Sequence, residues 1–156
     1  MLISKEDQQR ALSNIYANYP QGTIRSTKVP VLGTIPAGVP LEAIEDIIDY
    51  EEIPIEWTQG GKEYFALQIR GNSMYPRYEE GDVIILRKQE TCENGQDCAI
   101  RVNSDDVTFK RVKMNSDGIM LQAINPDYDS YIYTNKEIEE LPIKILGVVV
   151  ELRRKV

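Results

Sequence analysis

The chain has 156 residues, 42% of them apolar, with nine tyrosines, enough for one domain of ordinary size with a real core. Its formal net charge of −7 argues against nucleic-acid binding by bulk electrostatics, which needs clustered Lys and Arg. No apolar run approaches the roughly 20 residues of a membrane span, and Met1 to Asp7 is polar where a signal peptide carries its apolar core. A cytoplasmic protein is expected. Cys92 and Cys98 have no histidine to join them, because the chain contains none. Structural metal sites take about four ligands, usually at tighter spacing, so two ordinary thiols and no metal are expected.

In chain order, Ser4 to Asn18 reads as a short helix. Ser4 can cap it, with Asp7 three residues on, and Leu12, Ile15, Tyr16 and Tyr19 form a weak apolar stripe. Pro20, Gly22 and a polar run to Lys28 break that pattern, so residues 1–28 are expected to be an arm and linker, and 29–156 the folded domain. Val29 to Leu41 is uncharged, extended and cut by Pro30, Pro36 and Pro40. Prolines exclude it from a helix interior and from a central strand, so a groove or a sheet edge is expected. Ala37-Gly38 is its least bulky point, where a backbone carbonyl is most open to attack. Glu42 to Glu56 is acidic and expected to be irregular.

Beyond the turn Gln59-Gly60-Gly61-Lys62, apolar runs alternate with turn signals at short spacing, the pattern of an all-β domain. Strands are expected at Tyr64–Ile69, Asp82–Arg87, Asp97–Val102, Asp106–Met114, Ile119–Gln122, Ile132–Tyr133 and Ile143–Arg153. The fourth and fifth form the clearest hairpin, around Asn115-Ser116-Asp117-Gly118.

Two residues stand out chemically. Ser73 lies on a turn after the first of these strands, two residues beyond Gly71 and three before Pro76. A serine so placed is a nucleophile only if a base is in reach, and without histidine the search turns to lysine. In Val107-Thr108-Phe109-Lys110-Arg111-Val112, alternation puts Thr108, Lys110 and Val112 on one face and Val107, Phe109 and Arg111 on the other. A mid-strand lysine is most often a solvated side chain. The sharper alternative is a lysine in an apolar cleft, whose lowered pKa leaves a neutral amine able to take a serine's proton.

These residues resemble those of the self-cleaving C-terminal domain of the LexA/UmuD family, which includes LexA-like and lambdoid phage repressors. Val31-Leu32-Gly33-Thr34-Ile35-Pro36-Ala37-Gly38-Val39-Pro40 is similar to that family's cleavage region. Gly71-Asn72-Ser73-Met74, followed by Glu80-Gly81-Asp82, is similar to its nucleophile turn. Val107 to Arg111 is similar to its lysine strand, and Ile145-Leu146-Gly147-Val148-Val149 to its closing strand. Each motif alone is weak; the four in order, over residues 29 to 153, are specific. One departure is Pro36, where the family more often has a small residue.

The resemblance implies a mainly β fold of strongly curved antiparallel strands with a short N-terminal helical arm. It implies Ser73 as nucleophile, Lys110 as general base, the N–H groups of Asn72 and Ser73 as oxyanion donors, and Ala37-Gly38 as the bond cut. Val31, Leu32, Ile35 and Pro36 become anchors of the moving segment 31–41. No cofactor is implied. The implied partners are a second copy of the chain, with Ile143–Leu152 a candidate for the dimer face or simply a core strand, and a RecA filament on single-stranded DNA. DNA itself would be bound only through a helix-turn-helix domain, for which residues 1–28 are too short. A repressor fragment is therefore expected. The alternatives are an UmuD-like accessory subunit of an error-prone polymerase and a non-catalytic dimerisation module.

Overall fold

A computed structural model describes residues 4–10 and 25–156. Residues 5–10 are helical and exposed. Ser4 Oγ accepts the Asp7 N–H at 3.1 Å, the capping contact read from the sequence. The expected stripe of Leu12, Ile15, Tyr16 and Tyr19 lies outside the described residues, as do Pro20 and Gly22.

The remainder is mainly β. Nine strands run β1 (Ser26–Leu32), β2 (Ile47–Pro54), β3 (Tyr64–Gln68), β4 (Val83–Lys88), β5 (Asp97–Val102), β6 (Val107–Asn115), β7 (Gly118–Gln122), β8 (Tyr131–Thr134) and β9 (Ile143–Arg153). They form one sheet in the order β2-β1-β3-β4-β9-β5-β6-β7-β8. Every neighbouring pair is antiparallel except β1 and β3, which are parallel over Val31↔Ala66 and Leu32↔Leu67. The predicted hairpin is β6–β7, registered from Arg111↔Gln122 to Asn115↔Gly118.

Three expectations need correction. The extended Val29 segment is not a sheet edge: β1 begins at Ser26, inside the stretch read as linker, and lies between β2 and β3. Pro30 is tolerated there because the ladder to β3 starts only at Val31, beyond the missing N–H donor. The acidic stretch is not irregular either. Ile47–Pro54 is an eight-residue edge strand in which only Ile53 is buried. Its acids point to water, so it lacks the apolar alternation that marks a half-buried strand, and pairing with β1 is what makes it one. Finally, Asn135–Glu140 is a helix the strand reading passed over. Its signature was present: Thr134 and Glu137 form a reciprocal capping box.

Val83-Ile84-Ile85-Leu86 explains why β4 lies well inside the sheet. Ile84 and Leu86 are sealed on one side, against Phe65, Met74 and Tyr78, while Ile85 is sealed among Val29, Val31, Ile53 and Ala66. A strand buried on both faces shows a continuous apolar run rather than alternation. Each such side chain contributes about 1.5–3 kcal/mol of burial. A third cluster gathers Cys98, Ile100, Val112, Leu121 and Val148 around β5, β6 and β9. β9 pairs with both β4 and β5, so the proposed dimer strand has no free edge. Of its apolar side chains, Val150 and Leu152 remain exposed. Among the described residues, no helix is long and apolar enough to cross a membrane.

Candidate active site

β3 ends at Gln68, and the chain turns back on itself at once. The Ile69 N–H donates to the Asp82 carbonyl at 2.7 Å, and the Gly81 N–H to the Ile69 carbonyl at 2.9 Å. Gly71 follows at a φ of +74°, a conformation glycine adopts without the Cβ clash other residues meet. Ser73 comes next in a tight turn, closed by Tyr75 N–H to Asn72 C=O at 3.1 Å and Tyr78 N–H to Met74 C=O at 3.0 Å. Met74 and Tyr78 drive their side chains into the core. Tyr75 stays half exposed.

Lys110 arrives from the middle of β6, opposite Cys98 on β5. Its Nζ lies 3.2 Å from Ser73 Oγ, 3.1 Å from Thr108 Oγ1 and 3.1 Å from the Phe109 carbonyl oxygen. The side chain is half buried, and burial alone holds its pKa below the ordinary lysine value. The three contacts suit the neutral amine. Two N–H bonds can be given to Thr108 and to the Phe109 carbonyl, which leaves the nitrogen lone pair for the Ser73 hydroxyl. Thr108 was placed on the lysine's face by alternation, but nothing in the sequence marked it as a partner.

Behind the pair lies a network the sequence reading missed. Asp97 is 8% exposed and takes two bonds from Arg111, at 2.8 and 3.3 Å, and one from the Tyr78 hydroxyl at 2.7 Å. Tyr78 also meets Phe109 edge-on, with ring centroids 4.8 Å apart. Burial, reinforced by the Asp97 bond, pushes the Tyr78 pKa up to about 12. Tyr78 closes the serine turn, and Arg111 and Phe109 flank the lysine. The network therefore ties the two halves of the Ser73–Lys110 pair through the core. Asp97 and Arg111 meet because β5 and β6 pair in a register that places them opposite each other.

The serine and lysine open into a cavity of about 320 Å³, walled in part by Gly33, Thr34, Ile35, Leu67 and Val107. Of the anchors expected, Val31 and Leu32 are buried within β1, Ile35 packs against the core, and Pro36 is exposed. Ala37 and Gly38 do not line this cavity. They are the exposed central residues of a turn, closed by Val39 N–H to Pro36 C=O at 3.3 Å, with Gly38 at a φ of +74°. Past the turn, Leu41 and Ile44 lean on the core, and Glu42 pairs with Lys88, which also reaches Glu63 at 3.3 Å. The bond read as the target and the pair read as the machinery are thus apart in this structure.

Cys92 and Cys98 are free thiols, the second buried. Among the described residues, no group of three or more His, Cys, Asp or Glu side chains gathers as a metal site would require.

The chain matches the Peptidase S24-like family model over residues 30–150. This protein belongs to that family. It is 37% identical over 127 residues to the LexA repressor of Lacticaseibacillus casei, covering 81% of this chain and 58% of that one. Against the LexA repressor of Thermotoga petrophila it is 33% identical over 129 residues, 82% of this chain and 62% of the relative. Against that of Gluconobacter oxydans the identity is 33% over 115 residues, 73% and 48% respectively. The chain therefore spans roughly half to three-fifths of the curated relatives it matches. The S24 match covers β1 through most of β9, and both Ser73 and Lys110 fall within it.

Proposed function

We propose that this protein is the self-cleaving domain of a LexA-like transcriptional repressor, cutting its own chain between Ala37 and Gly38. The observation that carries the reading is the 3.2 Å contact between Lys110 Nζ and Ser73 Oγ, made by a lysine that burial inclines toward the neutral form. Relatives that share this stretch are LexA repressors, which favours a repressor over a polymerase subunit.

Ser73 Oγ attacks the Ala37 carbonyl carbon while Lys110 takes the hydroxyl proton. Among the described residues, neither the Asn72 nor the Ser73 N–H has a hydrogen-bond acceptor, so both are available to the developing oxyanion. The C–N bond then breaks, and Lys110 returns its proton to the departing Gly38 amine. Water hydrolyses the Ala37 ester and regenerates Ser73. The turn at Pro36–Val39 must first open and the segment slide over the cavity that Thr34 and Ile35 already border. Since target and catalyst share one chain, docking replaces substrate binding. A RecA filament on single-stranded DNA accelerates the reaction by favouring the docked conformer. Two copies of the domain associate to carry paired DNA-binding heads, and cutting between head and domain ends repression.

Incubating the purified chain at about pH 10 and weighing the products tests this. Two fragments are expected, with the new ends at Ala37 and Gly38, and Ser73→Ala stays whole. Cleavage elsewhere, or a serine variant that cuts as fast as the parent, refutes it.

A further inference from the structure

The turn that presents Ser73 is gripped from the side away from the cavity by one residue, Asn125, in the loop between β7 and β8. The Asn125 backbone N–H donates to the Ser73 carbonyl at 3.0 Å, and its side-chain Nδ2 donates to the Asn72 carbonyl at 2.9 Å. The other end of the same amide is also used: Oδ1 accepts the Asp127 N–H at 3.0 Å, and the Asn125 carbonyl accepts the Tyr128 N–H at 3.1 Å. The orientation of the side chain is therefore forced. One end faces a carbonyl that can only accept, the other an N–H that can only donate.

A trans peptide unit points its C=O and N–H in opposite directions. Fixing the Asn72 carbonyl fixes the Ser73 N–H on the far side, and fixing the Ser73 carbonyl does the same for the Met74 N–H. Gly71, Ser73 and Met74 line the cavity wall, and Asn125 does not. The carbonyls held by Asn125 thus face away from the cavity, and the N–H groups behind them face toward it.

We propose that Asn125 is a positioning residue for self-cleavage, holding two consecutive peptide units of the serine turn so that their N–H groups meet the oxyanion. The proposal rests on the Ser73–Lys110 reading above, but not on which bond is cut. An oxyanion donor works only when it is aimed before the charge develops, and the loss of one such donor costs about 10²–10³ in rate. Asn125 aims the donor without touching the reacting atoms, so its removal is expected to cost about tenfold or somewhat more, as small misplacements do.

The test measures the pH–rate profile of self-cleavage for the full chain and for N125A and N125S. N125S retains an oxygen for the Asp127 N–H but has no second donor for Asn72. A second readout is phosphonylation of Ser73 by diisopropyl fluorophosphate, followed by intact mass. In that reaction the Oγ–P bond forms, the P–F bond breaks, fluoride departs and Lys110 takes the proton.

Both variants should lower the alkaline plateau and the labelling rate about tenfold, with the pH midpoint unmoved because Lys110 is untouched. A merely structural role predicts that N125S, which preserves the loop turn, behaves as the parent. That result overturns the proposal, as does a loss wholly explained by a shifted midpoint. A parent that labels at Ser73 but does not cut at Ala37-Gly38 refutes the cleavage reading alone, and Asn125 is then judged on labelling. A parent that neither cuts nor labels refutes both.

Discussion

Two stretches of this chain must meet for it to act, and they are held in opposite ways. The Ser73 turn and Lys110 are fixed from several sides: by the Asn125 bonds, by Met74 and Tyr78 in the core, and by the Asp97–Arg111–Tyr78 network. The Pro36–Val39 turn carries exposed residues, closes with a single 3.3 Å bond, and is followed by one partly exposed ion pair at Glu42 and Lys88. The contrast places the control of the reaction in the target. The machinery is already assembled, so the rate is set by how often the segment leaves its turn and enters the cavity.

Removing the base should break the contrast outright. Lys110→Ala is expected to slow alkaline self-cleavage by about a thousandfold or more, followed as the disappearance of intact chain on gels. The smallness of the remaining rate reports how little docking alone accomplishes.

Acidity separates the two regions next. Cleavage needs the neutral amine, so its rate should climb about tenfold per pH unit and level off below pH 10.5, the ordinary lysine value, because burial lowers the Lys110 pKa. Stability has a matching sign. The folded pKa lies below the unfolded one, so unfolding takes up a proton between them. Burying Lys110 therefore costs stability at neutral pH, and that cost fades as pH rises through the folded pKa toward the unfolded one. A single-exponential rate series from pH 6 to 11 checks the first point, and urea melts over the same range the second.

The network behind the pair is the third place to press. Asp97→Asn leaves Arg111 and Tyr78 poorly matched, and should lower unfolding free energy by about 2–3 kcal/mol in urea titrations. Arg111 is partly exposed, and water will recover some of its loss, which keeps the effect below that of a fully buried pair. The smallest expected effect lies on the target side. Glu42→Gln removes the Lys88 pair and should raise the cleavage rate about two- to threefold, since such exposed pairs are worth well under 1 kcal/mol. Added salt should bring the parent toward the variant, and a variant that cuts more slowly would show that the pair steadies the docked state instead.

Much of this was legible in the residues. The turn signals and apolar runs located seven of the strands, and Asp97–Val102 and Ile143–Arg153 match their observed ends. The absence of histidine directed attention to lysine, and alternation put Lys110 and Thr108 on one face. β2 was not legible, because an exposed acidic strand has no apolar period to read and exists through its pairing with β1. Thr134-Asn135-Lys136-Glu137 carried a capping signal that was simply overlooked.

The sequence by itself determined the local chemistry: a strand ending in a glycine-led serine turn, a lysine among apolar neighbours, and a small-residue dipeptide in an uncharged segment. These are properties of adjacent residues, set by steric limits and side-chain alternation. Only the tertiary structure decided that Asp97 would meet Arg111, that Asn125 would seize two carbonyls 50 residues before it in the chain, within the separation of 53 recorded for its side-chain bond, and that Ala37-Gly38 would rest outside the cavity. Such contacts depend on strand register and loop path across the whole sheet. No local pattern encodes them, because each arises from burying distant side chains together rather than from any preference of the residues that touch.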